Sequence, residues 1–268
     1  MENKNSIYKK AQECVEQRRM PYKVEQFINR IFKKKIKFYW NGKRKTLKLD
    51  DKMEDAGYKM ALFEILDNNV YCPRIRENMD FKIREDDTVI DIGAGKGGLF
   101  ALYAANLAKN GKVYGFEPCK ENFQKVVYHK KMNKMDNLVL VNKAISDKTE
   151  QAKLYFSNIC VRHSLYKEMA EGGDGRYTLI DCVSLKEAFD QYEIKKCNFL
   201  KIDCEGAEYK ILFGTPPEYF ERIEKIALEY HKNGDVLELA KFLNRYGYVI
   251  TIEGYPSDRG MLFAFKYV

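Results

Sequence analysis

Val89-Ile90-Asp91-Ile92-Gly93-Ala94-Gly95-Lys96-Gly97-Gly98 is an apolar run that ends on glycines. Residues 88–92 read as a buried strand, and a helix is expected over 97–109. Between them the glycines permit a sharp turn and a close approach of ligand to backbone. Strand, turn and helix in this order form a cradle. The free amides at the helix start face an anionic or polar group.

Gly93, Gly95 and Gly98 alone also satisfy the dinucleotide pattern G-x-G-x-x-G. Asp91 argues for a different ligand. A carboxylate two residues before Gly93 can pair, directly or through water, with a cationic amino group. It would repel a pyrophosphate at close range. This favours S-adenosylmethionine over NAD, with Asp91, Gly93, Ala94, Gly95 and Gly97 as expected contacts.

Outward from this loop, short apolar segments alternate with amphipathic ones. Strands are expected at 112–116, 138–141, 199–202, 225–230, 248–253 and 261–266. Helices are expected at 121–133, 185–191, 205–213 and 235–245. The alternation is that of a parallel α/β sheet. Residues 254–260 are too few for a helical crossover, so the last strand must pair antiparallel with its predecessor. A mostly parallel seven-stranded Rossmann-like sheet ending this way is the architecture of class I methyltransferases. Residues 152–183 break the alternation. Strand-like pieces at 153–156 and 178–183 flank Gly172-Gly173-Asp174-Gly175, and the stretch is expected to be a loop or lid over the active edge.

Upstream, residues 5–35 have helical spacing interrupted at Pro21, and 36–49 read as a hairpin turning at Asn41-Gly42. Residues 60–71 are apolar with a turn signal at Asn68-Asn69. The chain thus divides into a basic, mainly helical extension, 1–57, and a catalytic domain, 58–268. Residues 1–50 hold 15 Lys and Arg against 5 Asp and Glu, whereas the whole chain carries +8, so the remainder is slightly acidic. Such a segment can dock nucleic acid or an anionic surface, or be a solvated face. Seven cysteines without C-x-x-C spacing give no zinc site or disulfide framework. No apolar run is long enough to span a bilayer. No signal peptide is visible, and a cytoplasmic location is expected. The oligomeric state is open.

Glu117 ends the second strand, where an acid can accept both hydroxyls of a ribose. Phe116 is expected beside the adenosine, and Ala144, after the third strand, near the adenine. The second informative stretch is Phe199-Leu200-Lys201-Ile202-Asp203-Cys204-Glu205-Gly206-Ala207-Glu208. Here a strand ends at Asp203 and Glu205 and Glu208 share one helix face. Acids in a first helical turn stabilise its dipole, and Asp203 can cap it. Three acids at the carboxyl edge of a parallel sheet exceed what that explains.

L-K-I-D-x-E-G-A-E is similar to the hallmark of FkbM-type methyltransferases. Residues 87–94, Phe116-Glu117-Pro118, Asn142 to Asp147, Ser164-Leu165, Val183-Ser184-Leu185 and Leu228-Glu229-Tyr230-His231 resemble other motifs of that family, in its order. The resemblance spans about residues 58–268. It implies methyl transfer from S-adenosylmethionine, releasing S-adenosylhomocysteine, usually to an oxygen of a small-molecule or sugar-like acceptor.

The chemistry then requires an aligned acceptor and removal of its proton. Asp203 is the first candidate beside the methyl group, as base or as electrostatic partner of the sulfonium. His231, after Glu229, is the second base. Asp203, Glu229 and His231 can converge on a divalent metal, a cofactor not favoured here. Glu205, Glu208, His163 and Ser164 are expected near the acceptor or the helix edge, and His129 on a solvated, Lys-rich helix. Two readings compete: an RNA or protein methyltransferase docking through the basic segment, and an NAD-binding or non-catalytic protein on the same sheet.

Overall fold

The computed structural model describes residues 35–40, 43–49, 56–66, 68–76, 79–158, 162–170 and 172–266. The helices expected within 5–35 and the Asn41-Gly42 turn lie outside the described residues, except Lys35, which opens a strand. In chain order the elements are β1 (Lys35–Trp40), β2 (Lys43–Lys48), α1 (Ala56–Leu66), β3 (Arg74–Arg76), β4 (Met79–Asp80), β5 (Thr88–Ile92), α2 (Leu99–Leu107), β6 (Lys112–Phe116), α3 (Lys120–Asn133), β7 (Leu138–Val141), β8 (Ala144–Ser146), β9 (Glu150–Tyr155), β10 (Tyr177–Ser184), α4 (Leu185–Gln191), β11 (Phe199–Ile202), α5 (Glu208–Phe213), α6 (Pro217–Phe220), β12 (Lys225–Tyr230), α7 (Val236–Asn244), β13 (Val249–Glu253) and β14 (Gly260–Phe265).

Seven strands form the main sheet in the order β13-β14-β12-β11-β5-β6-β7. From β12 through β7 all neighbours are parallel. β14 runs antiparallel to both β12 and β13, so the last strand enters the sheet instead of closing its edge. This is the class I methyltransferase sheet expected from the connection lengths. The strand order reverses between β5 and β11. The carboxyl ends of these two strands open the crevice in which such sheets bind ligands.

Each parallel strand is apolar on both faces because both are covered. Val89, Phe199, Ala227 and Phe263 pack with α1, α2 and Leu47 of β2. Ile90, Leu200, Ile226 and Leu262 pack with α4, α5 and α7. The β1–β2 hairpin docks on the helices of the first layer. Asn133 exchanges two 2.7 Å hydrogen bonds with the backbone of Lys48, and Asn106 donates to Thr46 O.

One charged pair interrupts the apolar faces. Asp91 and Lys201 lie opposite each other in the β5–β11 register. They are 0% and 3% exposed, and their charged groups stand 3.0 Å apart.

Four expectations need correction. The 152–183 stretch is more than a loop: β9 and β10 join β8 in a second sheet, ordered β8-β10-β9. Ala144 and Ile145 of β8, Leu154 of β9, and Arg162, His163 and Leu165 between β9 and β10 line the crevice. Helix α5 starts at Glu208, not at 205, because Glu205 (φ 54°) and Gly206 (φ 111°) take left-handed conformations that a helix cannot contain. Asp203 does not cap this helix; the Glu208 carboxylate accepts the amides of Cys204 and Gly206 instead, both at 3.1 Å. His129 is fully buried rather than solvated, its Nδ1 2.9 Å from Gly97 O, and so ties α3 to the glycine turn.

Candidate functional site

A cavity runs along the carboxyl ends of β5, β6, β11 and β12. One end is built by the glycine turn. At Gly93 a side chain would strike Asp203 O, 1.9 Å from the ideal Cβ position, and the backbone is left-handed (φ 78°). The residue must be glycine because the ends of β5 and β11 meet there. At Gly95 nothing lies within 4 Å of that position, which leaves open space over the turn.

Glu117 closes this end. Its carboxylate accepts the amides of Gly95 (2.7 Å) and Cys119 (2.9 Å). Burial pushes its pKa up to about 7 against the pull of those amides and Asn122. A carboxylate offers about four acceptor positions, so the bonds from Gly95, Cys119 and Asn122 leave capacity for about one ligand hydroxyl. Gly93, Ala94, Gly95, Phe116 and Ala144 also line the cavity, whereas Gly97 does not.

The other end carries the charges. Asp203 ends β11, and Tyr71 donates to its Oδ2 at 2.7 Å. Burial would raise the Asp203 pKa. Lys201, His231, the Tyr71 hydroxyl and Arg259 outweigh it and hold the carboxyl below its ordinary value. Glu229, from β12, is pushed up to about 7 by burial and by Asp203, although Arg259 Nε lies 3.1 Å away. Glu64, on α1, is pushed up to about 8 by burial and by Glu229 and Asp203.

Behind this wall lies a network. His231 Nδ1 stands 3.0 Å from Glu208 Oε1, and its Nε2 faces Glu205 Oε2 at 3.2 Å and Arg259 Nη2 at 2.8 Å. Burial opposes a charge on the ring, but Glu208 and Glu205 raise its pKa well above the usual value. Arg259 Nη2 also donates to Glu205 Oε2 at 2.8 Å. Ser164 Oγ donates to Glu205 O at 2.6 Å and pins the insertion to this turn.

Asp203, Glu205, Glu229 and His163 all line the cavity. His231, Glu208 and Ser164 lie behind its wall. Asp91 was expected to face the ligand; the fold instead buries it beneath the turn, against Lys201. That lysine also donates to Gly93 O at 2.7 Å and holds the turn from below. The expected metal triad is likewise altered. The donors that come within 4.8 Å of one another are those of Asp203, Glu205 and His231, while Glu229 pairs with Arg259.

Glu64, Tyr71, Arg162, Lys201 and Arg259 join the wall without having been anticipated. Lys201 had a signal: a lysine inside a four-residue apolar strand asks for a buried acid on a neighbouring strand. Glu64, Tyr71 and Arg259 come from segments remote from both motifs, and nothing local marks them.

The model of the methyltransferase FkbM domain matches residues 91–250. A Streptomyces tacrolimicus protein named 31-O-demethyl-FK506 methyltransferase FkbM is 23% identical over 249 residues, which are 80% of this chain and 93% of that protein. Methyltransferase 1 of Beauveria bassiana is 24% identical over 194 residues, 63% of this chain and 75% of its own. A solved putative methyltransferase from Streptococcus mutans, in complex with SAH, aligns with a TM-score of 0.43 at 13% identity, over 69% of this chain and 91% of that one. The family match takes in the glycine turn, Glu117 and the Asp203 turn together, over more than half of the chain. The protein thus belongs to the FkbM methyltransferase family.

Proposed function

We propose that this methyltransferase moves the methyl group of S-adenosylmethionine to an oxygen of a small, sugar-like acceptor. The observation that carries this reading is a single cavity with a nucleoside-type end and a charged end, joined where Gly93 touches Asp203. The residues fit the donor molecule: open space at Gly95 admits a ligand against the backbone, and Glu117 keeps acceptor capacity for a ribose hydroxyl.

The bound donor supplies a methyl group already activated on a sulfonium. The chain has to align an oxygen with it and take a proton. Asp203 stays ionised at neutral pH, which suits it to favouring positive charge beside it more than to removing a proton. Glu229, titrating near 7, is the better proton acceptor, since efficient bases have pKa values near the working pH. His231 is set behind Arg259 and serves the network. Glu205 and His163 border the acceptor space.

The test is label transfer from methyl-labelled S-adenosylmethionine into the small-molecule fraction of a cell extract. Asp203→Asn should lower it roughly 100-fold, the scale of losing one electrostatic group at a reacting centre. Donor affinity should change only a few-fold. Undiminished transfer by the variant removes Asp203 from the mechanism. Label appearing in RNA or protein instead overturns the acceptor class.

A further inference from the structure

Asp203, Glu205 and His231 each offer one donor atom, and these atoms lie within 4.8 Å of one another. One nitrogen and two oxygens from three side chains suit zinc or manganese, water completing the shell, once an ion displaces the ring proton that Glu205 and Glu208 favour. The support around them also has the form found at metal centres. The second ring nitrogen of His231 is fixed by the buried carboxylate of Glu208 at 3.0 Å. Yet the two donors on one side converge on an arginine. Arg259 Nη2 is 2.8 Å from Glu205 Oε2 and 2.8 Å from His231 Nε2, and Glu229 anchors the same guanidinium at Nε, 3.1 Å away.

We propose that the Arg259 guanidinium is the resident cation at two of these three donors, Glu205 and His231, standing where a divalent metal would otherwise bind. An arginine cannot lose its charge and offers a rigid fork of donors, so it stays between Glu205 and Glu229 as a permanent cation. It holds a fixed positive charge at the acceptor end of the cavity without a metal supply. The residue arrives from the loop between β13 and β14, beyond the family match at 91–250. Cation binding at Arg259 is independent of methyl transfer.

Calorimetric titration with Zn2+ and with Mn2+ tests it. Arg259→Met keeps an apolar stem and removes the charge. Once shown folded by circular dichroism, it should bind one ion per chain at least roughly 100-fold more tightly than the parent, allowing for the open fourth position. Adding His231→Ala should abolish that site. Adding Glu208→Gln should weaken it by about 10- to 100-fold, as loss of an outer partner does. On the unaltered chain, the ring resonances of His231 should stay in place in excess Zn2+, a measurement independent of how any variant folds. A folded Arg259→Met that gains no ion overturns the proposal. So does a parent chain that binds a stoichiometric ion through His231.

Discussion

At the scale of single residues, charge decides most of what the site can do. Lys201 and Asp91 form a buried ion pair across adjacent strands, and removing one partner leaves an uncompensated charge in an apolar layer. Lys201→Met should cost about 3–5 kcal/mol. Adding Asp91→Leu should restore much of that loss, because an apolar pair no longer carries a buried charge. Urea unfolding of the single and double variants measures this, and simply additive losses would contradict the pairing. Glu64 makes a second prediction. Its ordinary pKa of 4.5 rises to about 8 in the fold, where it faces Glu229, Asp203, Arg259 and Arg162. The fold accommodates the neutral form. Its contribution to stability is therefore complete below pH 4.5 and is lost as the pH climbs to about 8. Thermal melts should show Glu64→Gln gaining on the parent from pH 5 to pH 8, and a constant difference across that range contradicts the assignment. Asp203 and Glu117 were legible from sequence because each ends a strand at the ligand edge. The role of Asp91 was not, because its partner lies 110 positions later and pairs with it only through strand register.

At the scale of elements, the β5 turn shows how one glycine differs from another. Gly93 abuts Asp203 O and has a left-handed backbone, whereas Gly95 has the same handedness (φ 66°) and free space. Gly95→Ala should cost about 1–2 kcal/mol, the left-handed penalty alone. Gly93→Ala adds a backbone collision between β5 and β11. It should destabilise the fold by clearly more and should abolish donor binding. Equal stability of the two variants in urea would contradict this packing. The parallel strands were legible to the residue, since an apolar run bounded by polar residues fixes both ends. Helix starts were less so. Residues 205 and 206 fit a helical pattern by type, but their contacts impose left-handed backbone, and only the folded turn reveals it. His129 was misread for a related reason: a Lys-rich helix still buries one side, and here that side meets the glycine turn.

At the scale of the whole molecule, the nucleoside end of the cavity lies within the family match, while several acceptor-side residues do not. Glu64 and Tyr71 precede the matched region and Arg259 follows it. The sheet and the glycine turn at its carboxyl edge were therefore readable from local apolar runs and glycine spacing. The acceptor wall was not, since it is assembled from α1, the segment after it and the β13–β14 loop. Among the described residues, no helix is long and apolar enough to cross a membrane. The central claim is that one crevice, at the reversal of strand order between β5 and β11, holds a sulfonium nucleoside. Calorimetric titration of the purified protein with S-adenosylhomocysteine tests it most directly. The account predicts one site per chain, weakened at least roughly 10-fold by Glu117→Ala, about the 1.4 kcal/mol that one hydrogen bond to a charged group contributes. No binding of the homocysteine product or of the methyl donor, with saturable binding of NAD in its place, would contradict it.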